Sequence, residues 1–181
     1  MQISKVYRQN AIHTSTPARI LAIASGKGGV GKSCIATNLS VALAKNGHRT
    51  ALLDADTGLS NADIMLGLTP EYNLSHVLAG QCSITDIVVN GPNGLLVIPA
   101  ASGLQDMANL DLHQQANIIR SLSALDNRVD FLVIDMPAGI STSTINFARA
   151  AQEIVVVVCD EPASLADAQA FIHLLASEYK V

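Results

Sequence analysis

Residues 25–33 read "SGKGGVGKS", and Gly26 to Ser33 complete the pattern G-x-x-x-x-G-K-[ST]. The flanks give the pattern its force. "ARILAIAS" (18–25) is a short apolar run of the kind that forms a buried strand. "SCIATNLSVALAKNG" (33–47) has helical periodicity, with Ile35, Leu39, Ala42 and Leu43 on one expected inner face and Gly47 as its stop. A glycine-rich loop joining a strand to a helix is a phosphate cradle. Gly26, Gly28, Gly29 and Gly31, with Val30 among them, let the backbone curl so that its N–H groups point inward. The positive end of the following helix adds to their field. Lys32 is expected to reach the terminal phosphates of a nucleotide, and Ser33 to offer its hydroxyl to Mg²⁺. Cys34 completes the expected nucleotide-binding stretch. A second lysine, Lys27, stands among the glycines, and a phosphate loop by itself has no use for it.

Outward from the loop, apolar runs alternate with helical patterns. Strands are expected over 49–56, 95–100, 129–137 and 153–162, and helices over 112–127, 143–152 and 164–179, the last capped by Ser164. A short helix is expected after Ser60, small surface elements over 74–80 and 84–89, and a turn at "GPNG" (91–94). This alternation predicts an α/β fold: a mostly parallel sheet with helices on both faces. Residues 1–17 are polar and mildly basic without a clear period, and are expected to form a flexible tail before a domain over 18–181. The chain stops two residues after the last helical pattern, so that domain is expected to be incomplete at its C-terminal end.

Acids at strand ends complete the expected metal–phosphate site. "VDFLVID" places Asp135 at the end of one strand, where an acid orders Mg²⁺ through water. "TALLDAD" places Asp54 and Asp56 at the end of another, two residues apart and so on one side. Either could approach a γ-phosphate.

Composition bounds the rest. The 181 residues are 49% hydrophobic, 14% charged and 3% aromatic, with no Trp and a net charge of −4. Few aromatic rings and an acidic balance argue against a direct nucleic-acid platform. The charge is uneven: Lys5, Arg8, Arg19, Lys27, Lys32, Lys45 and Arg49 all precede the first acid, Asp54, which suits an anion-handling first third. Cys34, Cys82 and Cys159 form no C-x-x-C pair and are expected to be buried free thiols in a reducing cytoplasm. Neither a membrane-length apolar run nor a signal-peptide pattern is present, which predicts a soluble cytoplasmic protein. The histidines and serines suggest neither a metal cluster nor a nucleophilic triad.

The loop K-G-G-V-G-K-S, with a lysine directly after its first glycine, resembles the deviant Walker A motif of the MinD/ParA ATPases. The resemblance extends over nearly all of 18–181. "DADTGLSNADIMLGL" (54–68) resembles switch I and "DMPAGIS" (135–141) switch II. "GPNGLLVIPAASG" (91–103) and "ARAAQEIVVVVCDEPASLADA" (148–168) are similar to the FlhG branch, also called FleN, which governs flagellar number and placement.

The resemblance implies an ATPase that converts ATP to ADP and phosphate slowly, dimerises face to face with ATP and Mg²⁺, and returns to monomers on hydrolysis. It implies that Lys27 crosses the dimer interface to the partner's nucleotide, that Asp56 positions the attacking water, and that Asp54 and Asp135 lie around the metal with Ser33. Its implied partners are a second copy, an FlhF-type GTPase, flagellar switch components or a flagellar transcription activator. Recruitment to the inner membrane or cell pole is implied through a helix beyond Val181. The tail "SKVYRQNAI" departs from the D-Q-A-x-x-L-R motif by which the branch stimulates FlhF. Division-site or cargo positioning of the MinD or ParA kind shares the same chemistry. An iron–sulfur carrier would need cysteines that "AGISTSTINFARA" lacks, and a nucleotide-free interaction module is the remaining reading.

Overall fold

A computed structural model describes residues 17–56, 61–100, 112–125 and 127–179. All of the expected N-terminal tail but Pro17 lies outside them, as do parts of the segments 54–68 and 91–103. The chain order is β1 (Arg19–Ala24), α1 (Lys32–Lys45), β2 (Thr50–Asp54), α2 (Ala62–Leu66), α3 (Leu74–Leu78), β3 (Val89–Asn90), β4 (Leu96–Ile98), α4 (Leu112–Leu122), β5 (Phe131–Asp135), α5 (Thr142–Ala150), β6 (Glu153–Val156) and α6 (Pro162–Leu174). The strands form one sheet in the order β3-β4-β2-β5-β1-β6, parallel except where β3 meets β4.

Strand pleating divides the apolar runs between two layers. Leu21, Ile23, Leu52 and Val133 face one side, where they pack with Ala36 and Ala44 of α1 and Ala62 of α2. Ala22, Ala24, Ala51, Leu53, Leu132 and Ile134 face the other, with Ile118 of α4, Ile145 and Phe147 of α5, and Phe171 of α6. Helices therefore cover both faces, as the alternation predicts. The near-continuous apolar runs of β1, β2 and β5 reflect burial on both sides. The outer strand β6 alternates instead, and its Val155 is exposed.

Several local expectations are corrected. The inner face of α1 is not Ile35, Leu39, Ala42 and Leu43: Lys32, Ala36, Thr37, Ser40 and Ala44 are buried, while Ile35 and Ala42 are exposed. Small residues on that face let the helix lie close to the sheet, and the larger Leu39 and Leu43 pack only at its margin. Gly47 does end the helix, at φ 88°, with its own N–H donating to Ala44 O and that of His48 to Leu43 O. Residues 84–89 are not surface elements, because Ile84 and Ile87 are core residues. The last strand stops at Val156 rather than 162, and α6 begins at Pro162 with Glu161 as its N-cap. Ser164 does not cap that helix; it is buried, and its hydroxyl accepts the N–H of Cys159 at 3.0 Å.

Candidate functional site

The sheet order places the chemistry. β1 lies between β5 and β6, so the loop leaving β1 stands beside the ends of both. Asp135, the last residue of β5, is in register with Ile23 on one side and Asp54 on the other. Three chain segments far apart in sequence thus meet at one sheet edge, the edge at which open α/β sheets bind ligands.

The loop itself is tightly built. Ser25 is fully buried; its hydroxyl donates to Lys27 O at 2.9 Å and its carbonyl accepts the N–H of Gly139 at 2.9 Å. Gly29 and Gly31 have φ of 79° and 91°, the left-handed region that side chains rarely adopt. Gly26 is required for a different reason. A Cβ there would stand 2.4 Å from the carbonyl carbon of Asp167 and 2.7 Å from the N of Ala168, so α6 packs directly on the loop. Gly28 needs neither exemption, since a Cβ would meet only Ala138, at 4.0 Å. Gly31 is the N-cap of α1, with no side-chain cap and no acid in the first turn. The donors and dipole of that helix end suit an anion.

Lys32 is buried at 6% exposure, and its Nζ lies 2.9 Å from Asp135 Oδ1 and 3.5 Å from Asp56 Oδ2. Asp54 sits behind them at 1% exposure, accepting the N–H groups of Asp56 and Ala62 at 3.1 and 3.2 Å. It therefore ties the start of α2 to the end of β2, and β2 keeps its pairing to β5 one residue further, through the N–H of Ala55 to Asp135 O at 2.9 Å. Lys32 thus meets two carboxylates, with Asp54 joined to Asp56 through the backbone N–H of Asp56. Asp135 Oδ2 is moreover buried with no hydrogen-bond partner. The donor set is hard oxygen, which fits a divalent cation such as Mg²⁺.

Lys27 points away from this cluster. Its Nζ is 3.0 Å from Glu161 Oε2. The hydrogen bond to Glu161, the charge of the same carboxylate and the charge of Asp167 hold its ammonium above the usual lysine range. The sequence reading named Lys27 and missed Glu161, although "CDEP" closes an apolar run next to the loop strand, the signal that identified Asp54 and Asp135. The cysteine expectation is also corrected: all three are free, but Cys34 is exposed on the outer side of α1 and neither Cys82 nor Cys159 is fully buried. No helix among the described residues is long and apolar enough to cross a membrane.

Comparison with known proteins agrees with this geometry. The AAA domain family matches residues 18–180. The antiactivator FleN of Pseudomonas aeruginosa is 47% identical over 163 residues, 90% of this chain and 58% of FleN. The flagellum site-determining protein YlxH of Helicobacter pylori is 33% identical over 86% of this chain and 53% of its own. The septum site-determining protein MinD of Pyrococcus horikoshii, solved with Mg-ADP, superposes with a TM-score of 0.78 at 28% identity, covering 87% of this chain and 65% of that one. The chain spans little more than half the length of these two curated relatives. With a family match over nearly its whole described length, the chain belongs to the AAA-domain P-loop ATPases of the MinD/ParA type, with FleN among its relatives.

Proposed function

We propose that this chain is the core of an ATP-driven dimerisation switch that regulates flagellar number and placement. The observation that carries the reading is the pair of lysines in one loop with different surroundings: Lys32 buried among carboxylates, Lys27 at the rim and 40% exposed. Lys32 can exchange its carboxylate partners for phosphate oxygens of its own nucleotide. Lys27 lies outside that cluster on an exposed partner, Glu161, which it can exchange for an anion across an interface.

In the proposed step, the N–H groups of Gly28 to Ser33 and the end of α1 hold the phosphates. Lys32 neutralises the terminal phosphate, and the Ser33 hydroxyl, Asp54 and Asp135 would hold Mg²⁺, Asp135 through water. When bound, Mg²⁺ supplies charge neutralisation on the phosphate oxygens and holds them in place. Asp56 retains enough exposure, 26%, to orient a water for attack. Lys27 of the second copy supplies positive charge in trans, as an arginine finger does, and two opposed nucleotides that would otherwise repel are held together. Hydrolysis removes the charge that Lys27 grips, and the dimer separates.

The flagellar reading is supported by the likeness to YlxH, named a flagellum site-determining protein, and by the resemblance to the FlhG branch to which the antiactivator FleN gives its name. The proposed partners are an FlhF-type GTPase, flagellar switch components or a flagellar transcription activator. The proposed location is the cytoplasm, with recruitment to the inner membrane or pole. A second reading, division-site placement, is favoured by a MinD relative from Guillardia theta at 42% identity and by the likeness to MinD in the MinC:MinD complex of Aquifex aeolicus, at 32% identity. The deciding experiment is Lys27→Ala with ATP and Mg²⁺. The variant is expected to bind nucleotide as a monomer but form no ATP-induced dimer in size-exclusion chromatography, and an unchanged dimer would refute the trans role.

A further inference from the structure

We propose that Glu161 is a positioning residue that holds Lys27 within its own subunit until the anionic phosphate tail of a second copy takes its place. The inference rests on the dimer reading and adds to it a resting state for the signature lysine. Glu161 Oε2 lies 3.0 Å from Lys27 Nζ, and both side chains are about half exposed. Glu161 is placed there by a rigid arrangement. It is the N-cap of α6, and its own N–H donates to Cys159 O at 2.8 Å. Ser164 anchors the N–H of Cys159, and Gly26 lets α6 press against the loop beside Asp167. β6 and β1 are adjacent strands, so the segment after β6 that carries Glu161 leaves the sheet beside the loop that carries Lys27.

The ammonium of Lys27 has one reach and two competing anions. An exposed carboxylate is a weak partner, partly hydrated and screened by salt. A nucleotide tail carries several charges and accepts charge-assisted hydrogen bonds, so it wins the exchange once it is close enough. Without nucleotide, Glu161 neutralises Lys27 at the rim of the loop. The contact therefore makes dimerisation depend more sharply on ATP. Each dimer must open two such contacts, so the cost enters twice.

The test uses the protein at its full natural length: wild type, Glu161→Gln, Lys27→Ala and the double variant, each with ATP and Mg²⁺. Dimer dissociation constants are measured by sedimentation, and nucleotide affinity at concentrations where the protein is monomeric. Glu161→Gln is expected to tighten the dimer about two- to tenfold at low salt, less at high salt, with monomer nucleotide affinity and thermal midpoint unchanged. In the Lys27→Ala background the same substitution should change nothing. A weaker dimer in Glu161→Gln would mean that Glu161 serves the partner's lysine, and an unchanged dimer at low salt would mean that it holds nothing; either overturns the proposal. Wild-type dimerisation by Lys27→Ala would instead overturn the dimer reading beneath it.

Discussion

Two glycines of the loop, two residues apart, should fail in opposite ways when each receives a methyl group. At Gly26 an ideal Cβ would stand 2.4 Å from Asp167 C, 2.5 Å from Asp167 O and 2.7 Å from Ala168 N. All three are backbone atoms of α6, so no side chain can swing aside. Restoring van der Waals contact requires the helix and loop to separate by roughly 1 Å. Overpacking against fixed atoms costs about 1–3 kcal/mol, and the displaced α6 would also loosen its buried Phe171 and Ala168. Gly28 is different, because its Cβ would find ordinary contact with Ala138 at 4.0 Å and an unstrained backbone. Gly28→Ala should leave stability within about 0.5 kcal/mol of wild type. On the proposed phosphate-loop reading, its methyl would stand next to backbone N–H groups assigned to the phosphates. Urea unfolding and titration with a fluorescent ATP analogue separate the two effects. Gly26→Ala should lose stability, and Gly28→Ala should lose nucleotide affinity while keeping its unfolding midpoint. If Gly26→Ala unfolds at the wild-type midpoint, the packing of α6 on the loop is wrong.

Further outcomes are expected elsewhere. Cys34, exposed at the start of α1 directly after Ser33, should be alkylated readily without nucleotide and protected by Mg-ATP, as mass spectrometry would record; equal labelling would place nucleotide away from this helix end. Asp130 is held below the usual carboxylate range chiefly by its hydrogen bond to the Arg49 side chain, with the Arg49 N–H adding at 2.8 Å. A lowered folded value means stability that is present above the unfolded value, about 3.9, and lost as pH falls through the folded one. Asp130→Asn should therefore lower the denaturation midpoint modestly at pH 7, the pair being over a third exposed, and the difference should start to shrink near about pH 4 and vanish only below the lowered folded value.

Local patterns along the chain were enough to give the elements and the sheet edge where the loop and the strand-end acids gather. A strand, a glycine loop and a helix are local patterns, and an acid closing an apolar run marks the end of a strand wherever that strand later lies. Gly26 to Ser33, Asp54, Asp56 and Asp135 were all legible in this way. The tertiary structure decided which of them touch. Lys32 meets Asp135 across 103 residues and Lys27 meets Glu161 across 134, separations that no local pattern spans. Both contacts follow from strand order, which sets β1 between β5 and β6. Packing also decided that α1 turns its small residues to the sheet, Ala36 and Ala44 lying on it while Ile35 stands 45% exposed. Burial and pairing are properties of neighbours, and β6 and α6 became neighbours of the loop only when the chain closed its sheet.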